Sequence, residues 1–151
     1  MNVDSVWTVA SENDSLKRDL WVRLCDNPQE KNYYRSFTRI ISQQHNFVAS
    51  YLSSFDDNSF DGDCFDKPIY KGNETFYDKS RNFSFQIHDT VLLKLVSMDD
   101  DAFLFWENYE KEVFNIGNPF ASNGSNLESN IIGGNGIWCG YNQTIHTVII
   151  K

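Results

Sequence analysis

The sequence predicts a mainly β domain, an antiparallel β-sandwich or jelly-roll-like fold with one amphipathic helix at about 99–115. Three observations lead to this class. Aromatic residues make up 15% of the chain, with 12 Phe, 7 Tyr and 4 Trp, and such side chains favour strands. Short apolar runs alternate with polar turns, and one segment shows helical spacing instead. At 151 residues we expect a single domain over 1–151, large enough to bury a core.

Strand-sized apolar runs bounded by polar residues recur along the first two thirds of the chain. Within 83–88, apolar residues at odd positions alternate with polar residues at even positions, which is typical of a strand with one buried face. The polar residues 43–46 indicate a hairpin loop. We therefore predict strands at 3–9, 20–25, 33–41, 47–55, 83–88 and 91–98.

The segment 99–114 has the spacing of an amphipathic helix. Asp99 is placed to cap its first turn, and Glu107 and Lys111 form a favourable pair four residues apart. The apolar stripe consists of Ala102, Phe105 or Trp106, Tyr109 and Val113. We expect the glutamates of the segment to lie on its solvent face, namely Glu107, Glu110 and Glu112.

Charge and hydropathy exclude several classes of protein. The net charge is −8, and binding to nucleic acid or to anionic lipid needs clustered Lys and Arg, so nucleic acid is not expected as a partner. There is no apolar run of the length that spans a bilayer. The first residues lack the basic and apolar parts of a signal peptide, which leaves a cytosolic chain or one that has lost its export segment.

The three cysteines, Cys25, Cys64 and Cys139, allow at most one disulfide. They show no Cys-x-x-Cys spacing, which argues against a zinc or redox site. We expect buried free thiols.

Catalytic patterns are not found in the sequence. There is no Gly-x-Ser-x-Gly, His-Glu-x-x-His or Cys-x-x-Cys motif, so we predict no catalytic residues and a protein that is not an enzyme. The histidines are expected apart from one another, with His45 in a turn, His88 on the outward face of a strand and His146 in the last strand.

The acidic turn 56–63 is the best candidate for a metal site. Asp57, Ser59, Asp61 and Asp63 have some of the spacing of a calcium loop, but Pro68 stands where such a loop needs a bidentate glutamate. This excludes an EF-hand. A solvated turn is the default expectation, no cofactor is predicted, and calcium is the one metal that the pattern allows.

The glycine cluster 133–136 does not have the Gly-Lys-Ser/Thr ending of a phosphate-binding loop. We expect these glycines to give a tight hairpin, with a strand opening at 137–139, that folds Trp138 and Tyr141 back against the core or the helix. If they are exposed instead, Trp138, Tyr141 and Trp7 are the candidate ligand-binding residues, since an aromatic face can stack on a sugar ring.

The C-terminal third carries a family resemblance. Its motifs are Asn118-Pro119-Phe120, then Ser129-Asn130-Ile131, Gly-Gly-x-Gly-Ile-Trp over 133–138, and Gly140-Tyr141. This segment resembles the C-terminal part of the Bacteroidetes envelope lipoproteins classed as domain of unknown function 4249. Two upstream turns, at 26–35 and 55–62, are similar to that family too, so the resemblance covers about 20–141.

The resemblance implies an exported, lipid-anchored outer-membrane protein, often encoded beside a TonB-dependent receptor. The family's lipobox cysteine and N-terminal domain are absent from this sequence, so we expect the C-terminal part of a longer lipoprotein. The function that follows is a non-enzymatic accessory to nutrient uptake that binds the receptor, a glycan or a peptide. Two alternatives stay open: a secreted hydrolase whose site forms only in three dimensions, and a cytosolic interaction domain.

Overall fold

The computed structural model describes residues 2–12, 14–26, 28, 30–60, 62–73, 83–115 and 127–151. Within these residues the chain forms eight strands and one α-helix. The strands are β1 Asn2–Ser11, β2 Asp14–Cys25, β3 Tyr33–Ile40, β4 Val48–Asp56, β5 Cys64–Ile69, β6 Phe85–Gln86, β7 Thr90–Met98 and β8 Asn142–Ile149. Helix α1 spans Asp100–Asn115 and lies between β7 and β8 in the chain.

The strands form two antiparallel sheets. In the first sheet the order is β1-β2-β5, and the short β6 pairs with β2 beyond the end of β5. In the second sheet the order is β4-β3-β7-β8. The long strands β2 and β7 therefore each have neighbours on both sides, while β1, β5, β4 and β8 lie at the sheet edges.

The main core lies between the two sheets. Leu20, Val22 and Leu24 alternate along β2 and are fully buried, because every second side chain of a strand points to the same face. β7 contributes a matching set from the second sheet, and Phe85 and Ile150 complete the cluster. The β7 residues are Val91, Leu93 and Leu95. This packing of two antiparallel sheets confirms the predicted β-sandwich with a single helix.

Two strand predictions were wrong. Strand β5 was not predicted, because Pro68 and two charged residues weaken the strand signal. Proline within a sheet is confined mainly to edge strands, and β5 lies at a sheet edge. The strand expected at 83–88 is only Phe85–Gln86. It ends early because His88 takes a positive φ of 75° and donates its N–H to the Ile150 carbonyl, so His88 lies in a turn.

Helix α1 begins where the sequence indicates. The Asp99 side chain accepts a hydrogen bond from the Ala102 N–H at 2.8 Å, which is the predicted N-cap. Lys111 and Glu107 form the predicted pair at 2.9 Å. The helix packs on the outer face of the second sheet, where Phe103 stacks on Tyr33 with ring centroids 4.8 Å apart.

A disulfide joins Cys25 and Cys64, which face each other on the neighbouring strands β2 and β5. The expectation of buried free thiols was therefore wrong for these two residues, and Cys139 has a free thiol that is only partly buried. The sequence allowed the bond but could not select the pair, since the missed strand β5 is what brings Cys64 opposite Cys25.

Candidate functional site

Residues 127–141, which we call the Trp138 loop, contain the glycine-rich stretch and lead into β8. The Ser129 side chain organises the first half of this loop. Its hydroxyl donates to the Gly136 carbonyl at 2.8 Å and accepts from the N–H groups of Ile131 and Gly136, both at 3.1 Å. One hydroxyl thereby satisfies three backbone groups of a turn that no strand ladder supports.

The Asn130 side chain fixes the backbone of Trp138 in the second half of the loop. Its Nδ2 donates to the Trp138 carbonyl at 2.7 Å, and its Oδ1 accepts from the Trp138 N–H at 2.8 Å. These two hydrogen bonds are like those that a neighbouring β-strand would make, so the backbone of Trp138 is held although it belongs to no strand.

Two glycines allow this path. Gly133 has a φ of +79° and Gly136 a φ of +153°, which are backbone angles that residues with a Cβ rarely adopt. This confirms the expected tight turn. The expected strand at 137–139 was wrong, because regular pairing with β7 starts only at Asn142.

Trp138 points into solvent, with 79% of its surface exposed. Its neighbours Ile137 and Cys139 pack against Met98, Ala102 and Phe103 at the base of the helix. In an extended segment successive side chains point to opposite sides, so inward Ile137 and Cys139 force Trp138 outward. The prediction that Trp138 folds back against the core was therefore wrong.

Tyr141 does contact the helix, as predicted. Its hydroxyl accepts a hydrogen bond from the Trp106 Nε1–H at 3.0 Å. Burial raises the pKa of Tyr141, and a hydrogen bond with Cys139 adds to the rise. This contact anchors the end of the Trp138 loop to α1.

A buried polar network lies beneath the same helix. The Arg35 Nε–H donates to Ser53 Oγ at 2.9 Å and lies 3.8 Å from Oε1 of Glu110, which also accepts hydrogen bonds from Ser53 and Ser54. Burial lowers the pKa of Arg35, and the Glu110 carboxylate opposes that shift. Glu110 was predicted on the solvent face, which was wrong: its side chain is only 12% exposed because it satisfies Arg35.

The apolar surface of the Trp138 loop extends beyond the tryptophan. Ile132 is fully exposed at 103%, and three further large apolar side chains of the loop are more than one third exposed. They are Leu127, Ile131 and Tyr141. A fixed loop that presents several large apolar side chains to solvent is typical of a contact surface. The sequence analysis missed Ile132 and the two residues that pin the loop, although Ser129 and Asn130 stand in the family motif.

Trp7, the third predicted ligand residue, lies elsewhere. It sits on β1, half-buried and stacked on Trp21 with ring centroids 6.4 Å apart. With Val6 and Thr8 it lines one wall of an open cleft of about 550 Å³, whose other wall is residues 146–149 of β8 together with Lys151. Trp7 thus belongs to the first sheet, whereas the Trp138 loop leads into β8 of the second sheet.

The acidic turn has a structural role at its buried end. Asp57 is almost fully buried, and its carboxylate accepts the Asn32 N–H at 2.6 Å. Ser59 and Asp63 are exposed, and Asp61 lies outside the described residues. The calcium site therefore stays a prediction.

No group of three or more His, Cys, Asp or Glu side chains with metal-binding geometry occurs in the described part of the chain. His45 lies in a bend and His146 in β8, as predicted. His88 lies in a turn and not on a strand, so the three histidines are on separate elements.

Comparison with known proteins gives a family. The family model for the domain of unknown function DUF4249 matches residues 1–147. The chain belongs to the DUF4249 family. No curated protein matches the chain, and no solved structure matches it.

The DUF4249 match confirms the family inferred from the motifs and extends it towards the N-terminus, beyond the segment 20–141. Of those motifs, the Ser129 to Tyr141 part forms the Trp138 loop, while residues 118–120 lie outside the described residues. In the described part of this DUF4249 chain, no helix has the length and apolar character needed to cross a membrane.

Proposed function

We propose that this DUF4249 chain is a non-enzymatic cell-envelope module that binds a partner protein through the Trp138 loop. The partner that fits the proposal best is a TonB-dependent receptor, with the chain acting as an outer-membrane lipoprotein accessory to nutrient uptake. The observation that carries the proposal is Trp138 itself, which is 79% exposed on a backbone fixed by Asn130.

A fixed exposed tryptophan suits protein recognition for two physical reasons. Tryptophan is enriched among the residues that dominate binding energy at protein interfaces. A loop already ordered by Ser129 and Asn130 loses little further conformational entropy on binding, so more of the contact energy contributes to affinity.

The neighbourhood of Trp138 favours a protein over a sugar. The exposed side chains of the same loop include the aliphatic residues Leu127, Ile131 and Ile132. Sugar recognition combines an aromatic face with polar side chains that bind hydroxyl groups, whereas apolar aliphatic neighbours complement an apolar protein surface.

The disulfide supports the envelope location. A bond between Cys25 and Cys64 persists in oxidising compartments and is rare in the reducing cytosol. This argues against the cytosolic interaction domain that the sequence analysis left open. The lipid anchor and the receptor partner rest on the family resemblance.

The test compares Trp138→Ala with Leu16→Ala as the matched control. Leu16 is 72% exposed on β2 of the first sheet, so both changes remove an exposed apolar side chain. Immobilised protein is incubated with detergent-solubilised outer membranes of the bacterium that encodes the chain. We expect wild type and Leu16→Ala to retain a TonB-dependent receptor, identified by mass spectrometry, and Trp138→Ala to lose it.

Three other results would overturn the proposal. Equal retention by Trp138→Ala would place the contact outside the loop. Binding on a glycan array that Trp138→Ala abolishes, with no receptor retained, would make the loop a sugar site. Turnover of ester, glycoside or peptide substrates would establish the hydrolase alternative instead.

A further inference from the structure

Helix α1 packs over the end of the second sheet that holds Tyr33 and Arg35. Two residues further along β3, Phe37 lies opposite Lys94 of β7, and Lys94 in turn lies opposite Ile145 of β8. Residues directly opposite each other share one face of a sheet, and so do residues two apart along a strand. The side chains of Phe37, Lys94 and Ile145 therefore lie on the same outer face as Arg35.

The next row of the ladder extends this surface. Arg39 of β3 lies opposite Leu92 of β7. Phe47, just before β4, reaches the same face, because the centre of its ring lies 4.7 Å from the Lys94 Nζ. All these side chains are at least partly exposed, and Ile145 is 49% exposed. We call this surface the Lys94 face, and its members are Phe37, Arg39, Phe47, Leu92, Lys94 and Ile145.

The Lys94 face is basic although the chain as a whole is acidic. Its two ionisable side chains are Arg39 and Lys94, while the net charge of the chain is −8. Arg39 donates its Nε–H to the Gln44 carbonyl at 3.1 Å, which leaves the other guanidinium N–H groups available. No carboxylate of the described residues forms an ion pair with Arg39 or with Lys94. The described part of the chain therefore does not neutralise the charge of this face.

The Lys94 ammonium group is positioned by two aromatic rings. Its Nζ lies 4.3 Å from the centre of the Phe37 ring, and the Phe47 ring packs against it as well. Burial lowers the pKa of Lys94, and the nearby charge of Arg35 lowers it further. A carboxylate from another molecule would relieve both effects and would meet an ammonium group that is already held in place.

We infer that the Lys94 face binds a segment of the partner protein in which acidic side chains alternate with apolar ones. The carboxylates of that segment pair with Lys94 and Arg39, and its apolar side chains pack on Phe37 and Ile145. Elsewhere the net charge of −8 repels an acidic segment, so complementary charge also selects the place where the segment binds.

The composition of the Lys94 face favours a protein over an acidic polysaccharide. Four of its six side chains are apolar, and a polysaccharide that carries many carboxylates offers little apolar surface to cover them. β8, which follows the Trp138 loop in the chain, contributes Ile145 to the face. This inference rests on the proposed function and deepens it, because it names the chemistry of the partner surface that lies beside the Trp138 loop.

The test is an NMR titration of the chain with a capped synthetic peptide of alternating Glu and Leu. Peptides of alternating Gln and Leu and of alternating Lys and Leu are the controls. We expect the Glu-Leu peptide alone to shift the amide signals of the Lys94 face, and we expect added salt to weaken its binding. The bound carboxylates should also raise the pKa of Lys94, measured through the NMR signals of its side chain.

Three lysine variants test the role of charge. Lys94→Gln should bind the Glu-Leu peptide about fivefold more weakly, which is the effect of losing one partly exposed ion pair. Lys94→Arg keeps the charge and should bind like the wild type. Lys17→Gln is the matched control, because it removes the same charge from β2 of the first sheet, where Lys17 pairs with Asp14 at 3.2 Å.

Several results would overturn the inference. These are equal binding of the Glu-Leu and Lys-Leu peptides, signal shifts confined to other surfaces, and a Lys94 pKa that the peptide does not change. Binding of polygalacturonate without binding of the peptide would also overturn it, as would a self-association of the chain that Lys94→Gln abolishes. A receptor that Lys94→Gln retains and Trp138→Ala loses would overturn this inference alone and leave the proposed function standing.

Discussion

The guanidinium carbon of Arg35 lies 3.8 Å from the centre of the Trp106 ring. Arg35 comes from the middle of β3 and Trp106 from helix α1, so this cation–π contact joins the helix to the second sheet. Trp106 also donates to Tyr141 at the end of the Trp138 loop. The stability of the sheet, the position of the helix and the geometry of the loop therefore depend on one cluster.

Replacement of Arg35 by methionine should destabilise the fold by about 3–5 kcal/mol, because it leaves the Glu110 carboxylate buried without its cation. Methionine keeps the packing of the side-chain stem, so the loss reports the charge. Arg23→Met is the control: Arg23 pairs with Asp66 at 2.7 Å on the exposed surface, where water screens the pair, so its loss should cost much less than the loss of Arg35. Urea unfolding measures both, and equal losses would contradict the assigned role of Arg35.

Removal of the disulfide should cost about 4 kcal/mol by the loop-closure argument, since Cys25 and Cys64 are 39 residues apart in sequence. The variant Cys25→Ser/Cys64→Ser is compared with Cys139→Ser, which leaves the bond intact. After free thiols are alkylated, peptide mapping under non-reducing conditions should find the Cys25 and Cys64 peptides joined by a disulfide and Cys139 alkylated. A bond that involves Cys139 would show that the β2–β5 pairing is different in solution.

Stability should fall above about pH 10 through Tyr34, which is buried and donates its hydroxyl hydrogen to Asp26. Burial, first, and the hydrogen bond to Asp26, second, raise the pKa of Tyr34 in the folded protein. A raised pKa favours the protonated form, so this contribution is present below the unfolded pKa of 10.0 and is lost as the pH rises above it. Tyr34→Phe has no such proton. Its stability in urea should therefore fall less steeply in this range than that of the wild type, and parallel curves would exclude Tyr34 as the cause.

The sequence predicted the fold class well because its signals are local. Asp99 as a helix cap and the 107–111 pair depend on spacing along the chain, and both were found. The alternating apolar residues of the strands likewise identify a buried face without knowledge of the partner strand. The position of His88, by contrast, depends on Ile150, which is distant in the sequence.

The site could be predicted only in part. Aromatic character singled out Trp138 and Tyr141, while Ser129 and Asn130 were quoted in the family motif without a role, and the direction of Trp138 depends on Ile137 and Cys139 finding space beneath the helix. Glu110 shows the same limit: helical spacing placed it on the solvent side, while Arg35 on β3 draws it inward. Both errors come from tertiary contacts that no local pattern contains.

Substitution of Asn130 by alanine should release the backbone of Trp138 with little change in global stability. The two bonds from Asn130 are the ones that hold the Trp138 N–H and carbonyl. Loss of about 1.4 kcal/mol of local protection corresponds to amide exchange about tenfold faster at Trp138, measured by NMR. Asn135→Ala, in the same loop, is the control and should leave this amide unchanged. Unchanged exchange in Asn130→Ala would mean that the loop is not fixed in this way.

The central claim is that Trp138 contacts a partner protein in the cell envelope. The most direct measurement places a photoreactive benzoylphenylalanine at position 138, or at the similarly exposed position of Leu16 as a control, in the living bacterium that encodes the chain. We predict that illumination gives an adduct with a TonB-dependent receptor from position 138 and none from position 16. The absence of an adduct at 138, or the same adduct from both positions, would contradict the claim.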